Sequence, residues 1–227
     1  MADFCQNTFE FELRPAVEGQ DFLVAISNQE AVKWFELWPD WHVPAIIIYG
    51  APGCGKSHLA NLFKIKTGAL TITPSLIEEV GVARILENES SCIVDDAEFG
   101  IDEETLLHLY NGLASSGGHL LMTAGKPPGL WEISLKDLES RLKSIPCVEI
   151  GLPDDMLLEA VFAKYFADRQ LLVGSDVITY LLPRIERSLS MAQRIVEKID
   201  QHSLAAGRKV TLPLVRQVLA SEFELKI

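Results

Sequence analysis

Short apolar runs closed by glycine, proline or acidic residues recur along the first two thirds of the chain. Between them, apolar positions fall at helical spacing. The run Ala45-Ile46-Ile47-Ile48-Tyr49 has no polar interruption and predicts a strand buried on both faces. Further strands are predicted over 69–73, 91–94, 119–123 and 147–150. A first helix is predicted over 29–37, capped by Ser27-Asn28, with Ala31, Val32, Phe35 and Trp38 as its apolar stripe. Trp38-Pro39-Asp40-Trp41 ends it. Other helices are predicted from a glycine-rich turn to about 66, near 75–79, and over 82–88, 102–114 and 134–142. Strands alternating with helices predict an α/β unit whose parallel sheet is covered on both faces. From 152 onward the texture is helical only, over 154–168, 175–182, 188–204 and 212–223. The expected organisation is a tail over 1–20, containing Pro15 and Gly19, an α/β domain over 21–151 and a small all-α domain over 152–227.

Composition narrows the class. With 227 residues and 48% hydrophobic content the chain can bury a real core. No apolar run reaches the roughly 18 residues of a membrane span, and no secretory pattern opens the sequence. Cys5, Cys54, Cys92 and Cys147 form no CxxC pair, which suggests neither a disulfide framework nor a zinc site and points to a cytoplasmic location. His108, His119 and His202 lack metal-ligand spacing, and Trp38 and Trp41 read as packing residues. The net charge of -12 argues against a duplex-gripping protein, because such affinity comes from Lys and Arg on phosphates. Protein partners fit it better, and no autonomous sequence-specific DNA binding is expected.

The chemistry concentrates at Gly50-Ala51-Pro52-Gly53-Cys54-Gly55-Lys56-Ser57, a complete P-loop between a strand and a helix. Its glycines let backbone N–H groups converge on phosphate oxygens, and the helix N-terminus adds its positive end. Lys56 is expected to reach the β- and γ-phosphates of ADP or ATP, Ser57 to ligate Mg²⁺, and His58 to follow on the helix. Ser91-Cys92-Ile93-Val94-Asp95-Asp96 reads as the strand that delivers acids beside the loop. Asp95 would hold Mg²⁺ through water, and Asp96 would polarise an attacking water. GTPases need an NKxD-type motif, which is absent, and small P-loop kinases lack a C-terminal helical bundle. The expected class is therefore AAA+, with the bundle as its lid.

Three segments resemble the family of the bacterial replication initiator DnaA. They are Gly50 to Leu59, Cys92-Ile93-Val94-Asp95-Asp96-Ala97-Glu98-Phe99 and Thr123-Ala124-Gly125-Lys126-Pro127-Pro128. Asp21-Phe22-Leu23-Val24 with Ser27, Asn28 and Ala31 is similar to the segment before that family's core. DnaA continues past its lid into a helix-turn-helix domain, whereas this chain stops at Ile227, and its 69–92 stretch is short for DnaA's extra helices. It resembles the Hda-like regulators of alphaproteobacteria. That resemblance implies a protein bound to the DNA polymerase sliding clamp that stimulates ATP hydrolysis by DnaA. Arg141 matches the arginine finger, against the alternative of a surface Arg paired with Glu139 or Asp137. Gln6, Phe9 and Phe11 match the clamp-binding hexapeptide, with Asn7 departing from the usual Leu; an edge strand is the alternative for the two phenylalanines. Gly125 stands where DnaA has an acid, and Thr123 is either a polar contact or a plain strand residue. The lid position of the phosphate-sensing arginine falls near Ser190, with Arg187 and Arg194 within a turn on either side, and both readings stay open for each of them, reaching the phosphates or standing in solvent. These departures lead to an expectation of nucleotide binding, ADP foremost, with slow or no intrinsic hydrolysis. A loader or recruitment adaptor and an autonomous NTP hydrolase stay open as alternatives, as does a homo-oligomer.

Overall fold

The computed structural model describes residues 13–17 and 20–224. In chain order the elements are β1 (Leu13–Val17), β2 (Gln20–Leu23), α1 (Gln29–Leu37), β3 (Ala45–Tyr49), α2 (Lys56–Thr67), β4 (Leu70–Ile72), α3 (Pro74–Val80), α4 (Val82–Asn88), β5 (Ser91–Val94), α5 (Glu103–Ser116), β6 (His119–Ala124), α6 (Lys136–Ser144) and β7 (Cys147–Glu149), then the lid helices α7 (Asp155–Asp168), α8 (Ser175–Leu181), α9 (Leu189–Ala206) and α10 (Leu212–Glu224).

Among the described residues, β3 to β7 form a parallel sheet in the order β4-β5-β6-β3-β7. Period-two alternation serves both faces. Ala45 and Ile47 join the core under α5 and α6, while Ile46 and Ile48 join the core under α1 and α2. The order matters for function. β6 lies between β3 and β5, so the loop after β3 and the acids after β5 flank the C-terminal end of β6. Such a crevice at the carboxyl ends of parallel strands is where open α/β sheets place ligands.

Residues Asp102, Asp154 and Ser188, read as helix starts, are N-caps: their side chains accept the backbone N–H of Thr105 (2.9 Å), Leu157 (2.7 Å) and Met191 (3.2 Å). Asn28 departs from its expected capping role. It occupies the N-cap position of α1, but its Oδ1 accepts from Ala25 N–H (2.8 Å) and its Nδ2 donates to the Leu23 carbonyl (3.0 Å). It therefore ties the preceding segment to the helix instead of closing the helix end. The tail expected over 1–20 is also partly regular. β1 pairs antiparallel with β2, with Leu13 opposite Leu23 and an irregularity between Pro15 and Val17. A two-stranded ribbon consists only of edges, which is where a strand tolerates proline.

Trp41 packs as expected, stacked on Phe63 at 5.3 Å, with its Nε1 donating to the Trp34 carbonyl at 2.7 Å. The lid has its own core, in which Leu158, Phe162, Phe166, Ile195, Ile199 and Val215 are buried. Leu23 and Ala25 pack against that core, and Gly151 N–H donates to the Ser27 carbonyl at 2.9 Å. The segment before α1 thus bridges the two units. Among the described residues, no helix is long and apolar enough to cross a membrane.

Candidate nucleotide-binding site

The loop leaving β3 closes over space that only glycine can yield. A Cβ on Gly50 would meet the Ile150 carbonyl oxygen at 2.3 Å. Gly55, with φ +113, forms the N-cap of α2, so the first turn of that helix opens onto the loop. Lys56 is buried, and its ammonium donates to the carbonyls of Gly50 (2.7 Å) and Ala51 (3.2 Å). Two of its three N–H donors are spent on the loop and one remains for an anion. Cys54 turns its thiol into the core beneath the loop, where burial pushes its pKa up. Pro52 is exposed on the loop's outer side.

The acids emerge from β5 as expected. Ser57 Oγ lies 3.2 Å from Asp95 Oδ2. Thr123, fully buried at the end of β6, donates its hydroxyl to Asp95 Oδ1 and accepts Asp96 N–H at 3.0 Å. Thr123 is therefore a polar contact, the first of the two readings open for it. The arrangement follows from strand order, since β6 stands between the loop and the acids. Asp96 is exposed and takes φ +49, a left-handed conformation that Asp tolerates better than most residues. The N–H of Gly125 is held by the Glu98 carboxylate at 2.7 and 3.0 Å.

The lid rests directly on the loop. Leu189 N–H, at the start of α9, donates to the Gly53 carbonyl at 2.8 Å. A Cβ on Gly53 would meet Ser188 Oγ at 2.1 Å and Ser190 Oγ at 2.6 Å, and the residue has φ +74. Between loop and lid lies a hollow of about 350 Å³, lined by Leu23 and Asn28, by Gly53 and Gly55 to His58, by Leu157, Val161, Lys164 and Tyr165 of α7, and by Leu189, Ser190 and Gln193 of α9. His58 lies at its rim. Desolvation first, and the Lys164 ammonium second, lower the His58 pKa.

This contact yields a paired prediction. Gly53→Ala is expected to raise amide exchange at Leu189, because the new Cβ displaces the serines of the lid. Gly68→Ala has the same left-handed strain of about 1–2 kcal/mol but open space around it, and should leave Leu189 unchanged. Equal exchange in both variants would remove the role of the loop–lid contact.

The arginines proposed from the sequence lie elsewhere. Neither Arg187 nor Arg194 lines the hollow. Arg187 pairs with Asp155 at 2.8 Å, and Arg194 pairs with the buried Glu222 of α10. Both guanidinium groups thus face carboxylates, at the start of α7 and within the lid, from side chains that are 53% and 56% exposed. Arg141 is exposed on α6, away from the hollow, with Leu138 and Leu142 anchoring that helix in the core. Glu139, its sequence neighbour, pairs with Lys143 at 2.6 Å, and among the described residues Arg141 makes no ion pair. Gln6, Phe9 and Phe11 lie outside the described residues. The lining residues of α7 escaped the sequence reading. Their only signal was a face at positions 157, 161, 164 and 165, which any packed helix shows.

Comparisons with known proteins agree with this architecture. Residues 158–219 match the family described as Hda, lid domain. The chain is 25% identical over 241 aligned positions to the chromosomal replication initiator protein DnaA of Helicobacter hepaticus, covering 94% of this chain and 52% of that protein. It thus spans about half the length of that relative. Domain III of the Thermotoga maritima replication initiation protein DnaA superposes with a TM-score of 0.78 at 18% identity, covering 88% of this chain and 94% of that one. AMPPCP-bound DnaA from Aquifex aeolicus superposes with a TM-score of 0.67 at 21% identity, covering 86% and 68%.

Proposed function

We propose, from the premise that this chain is an AAA+ protein related to DnaA and Hda, that it binds ADP or ATP between loop and lid and regulates replication initiation by acting on a DnaA-bound nucleotide. The observation that carries the reading is the hollow in which the start of α2, Lys56 and the lid converge. Such a helix start favours a di- or triphosphate through its open N–H groups and its dipole. Ser57 and Asp95 form a hard-oxygen pair 3.2 Å apart. That donor set suits Mg²⁺, which keeps waters and phosphate oxygens as its remaining ligands. When bound there, the ion would neutralise phosphate charge. Thr123 orients Asp95, and Asp96 is the carboxylate placed to polarise a water.

Supporting the regulatory reading, an exposed guanidinium at Arg141 lies off the chain's own nucleotide hollow. It therefore suits a phosphate held by a neighbouring subunit, which we assign to DnaA. The sliding clamp is the second partner, reached through Gln6, Phe9 and Phe11. The -12 charge disfavours a reading in which the chain grips DNA by itself.

Lys56→Met should weaken ADP binding by roughly 100-fold, since a charge-assisted bond to phosphate contributes about 3 kcal/mol. Thermal protection of wild-type protein by ADP, lost in the variant, is the readout. The regulatory step is tested with clamp-loaded DNA, ATP-bound DnaA and this chain. Hydrolysis no faster than DnaA alone rejects it.

A further inference from the structure

We propose that Glu103 is a positioning residue for Arg141: its carboxylate, at the start of α5, fixes the N-terminal end of α6 and thereby the reach of the exposed guanidinium. The proposal rests on the regulatory reading above, in which Arg141 serves a phosphate on a neighbouring subunit, and deepens it.

Helix α6 cannot close its own start. Its N-cap is Leu135, whose side chain has no acceptor, and its third helical residue, Leu138, is buried in the core. A glutamate at that third position would reach back to the N-cap N–H. Glu103 does this from another helix. Its Oε1 accepts Ser134 N–H at 2.9 Å, and its Oε2 accepts Leu135 N–H at 2.6 Å and shares the Ser134 N–H at 3.1 Å. Bonds from N–H groups to a carboxylate are charge-assisted. The same carboxylate also stands at the positive ends of two helices, α5 and α6.

Glu103 opens the helix that follows Asp95 and Asp96, and Asp102 caps that helix. A second carboxylate of this segment, Glu98, holds Gly125 N–H just past β6. Between these two grips, Trp131 Nε1 donates to the Lys126 carbonyl at 2.8 Å. The connection from β6 to α6 is thus pinned at both ends by acids from the segment after β5. The far end of α6 is held by apolar packing, with Leu142 and Ile145 buried in the core. Arg141 itself is exposed and makes no ion pair among the described residues, so its place is set by the helix that carries it. With the far end anchored, release of the near end would let α6 pivot and carry the guanidinium with it. A misplacement of about 1 Å can lower a rate by about 10²-fold.

The test titrates wild type, Glu103→Ala, Glu103→Gln and Glu104→Ala into the assay with clamp-loaded DNA and ATP-bound DnaA, and follows amide exchange of each variant alone. Glu103→Ala is expected to lower the plateau of stimulated hydrolysis by about 10²-fold. Its half-saturating concentration should not change, and exchange at Ser134 and Leu135 should rise. Loss of folded chain or of docking would do the reverse, shifting the half-saturating concentration and sparing the plateau. Glu103→Gln keeps one acceptor oxygen and should fall between wild type and Glu103→Ala; it carries the same test if the alanine variant does not fold. Glu104→Ala, at the exposed neighbouring position, should match wild type in both readouts. A wild-type plateau in Glu103→Ala overturns the proposal, as does a shift in half-saturation alone, or unchanged exchange at Ser134 and Leu135. A wild-type plateau in Arg141→Ala sinks the underlying reading instead. A plateau that Arg141→Ala abolishes and Glu103→Ala retains sinks this inference alone.

Discussion

Arg141→Ala is expected to reduce the stimulated hydrolysis of DnaA-bound ATP by about 10³-fold or more, the usual scale for loss of an arginine finger. The physical basis is charge. A transferring phosphoryl group develops charge on its equatorial oxygens, and a planar guanidinium held against them stabilises that charge where water cannot. Helix α6 leaves Arg141 exposed, as the proposed task requires. Leu138 and Leu142 bury one side of the helix, and the only ion pair formed by its described residues, between Lys143 and Glu139, leaves Arg141 uninvolved. Of the two partners open for a surface Arg, Glu139 pairs with Lys143, and no ion pair joins Asp137 to Arg141 among the described residues. Because Arg141 is exposed, its removal should leave the melting temperature and ADP binding of the chain unaltered. Arg141→Lys should not rescue the rate, since an ammonium lacks the fork that spans two oxygens. Stimulation that persists in Arg141→Ala would show that the acceleration comes from another group.

The second large effect lies in the lid. Glu222 is 2% exposed and meets Arg194 and Lys198 of α9 through its two oxygens. Those oxygens have no other hydrogen-bond partner. Replacing both cations, as in Arg194→Met with Lys198→Met, would strand a carboxylate in the lid core. Breaking a buried pair from one side costs about 3–5 kcal/mol. For a chain of this size that corresponds to a fall of roughly 6–20 °C in thermal midpoint, followed by circular dichroism. Adding Glu222→Leu to the same background should recover most of the loss, because an apolar replacement of a buried ionic cluster is often neutral or better. A double variant that melts like wild type would mean that the cluster contributes nothing. The cluster also gives Arg194 an anionic partner, which it shares with Lys198.

The N-terminal bridge and the loop glycines show how local and distant information divide. Strand β3 was legible because five consecutive apolar residues have one stable home, a sheet covered on both faces. The loop after it was legible because its glycines answer a backbone requirement that lies within a few residues. Helix starts at Asp102, Asp154 and Ser188 were legible for the same local reason, a short side chain accepting an N–H three residues on. Asn28 carries the same type of signal and does something else, because two partners in the preceding segment outcompete the helix end.

By itself, then, the sequence determined the alternation of strands and helices, the phosphate loop, the paired acids and the change of texture at the lid. Each of these is written in neighbours along the chain. Only the tertiary structure decided that Thr123 bridges the acids, that Arg187 and Arg194 serve carboxylates, and that Lys164 faces the hollow. These depend on strand order and on how the lid settles on Gly53. A cation's partner is whichever anion the fold brings within a few ångströms, and spacing along one helix does not contain that distance.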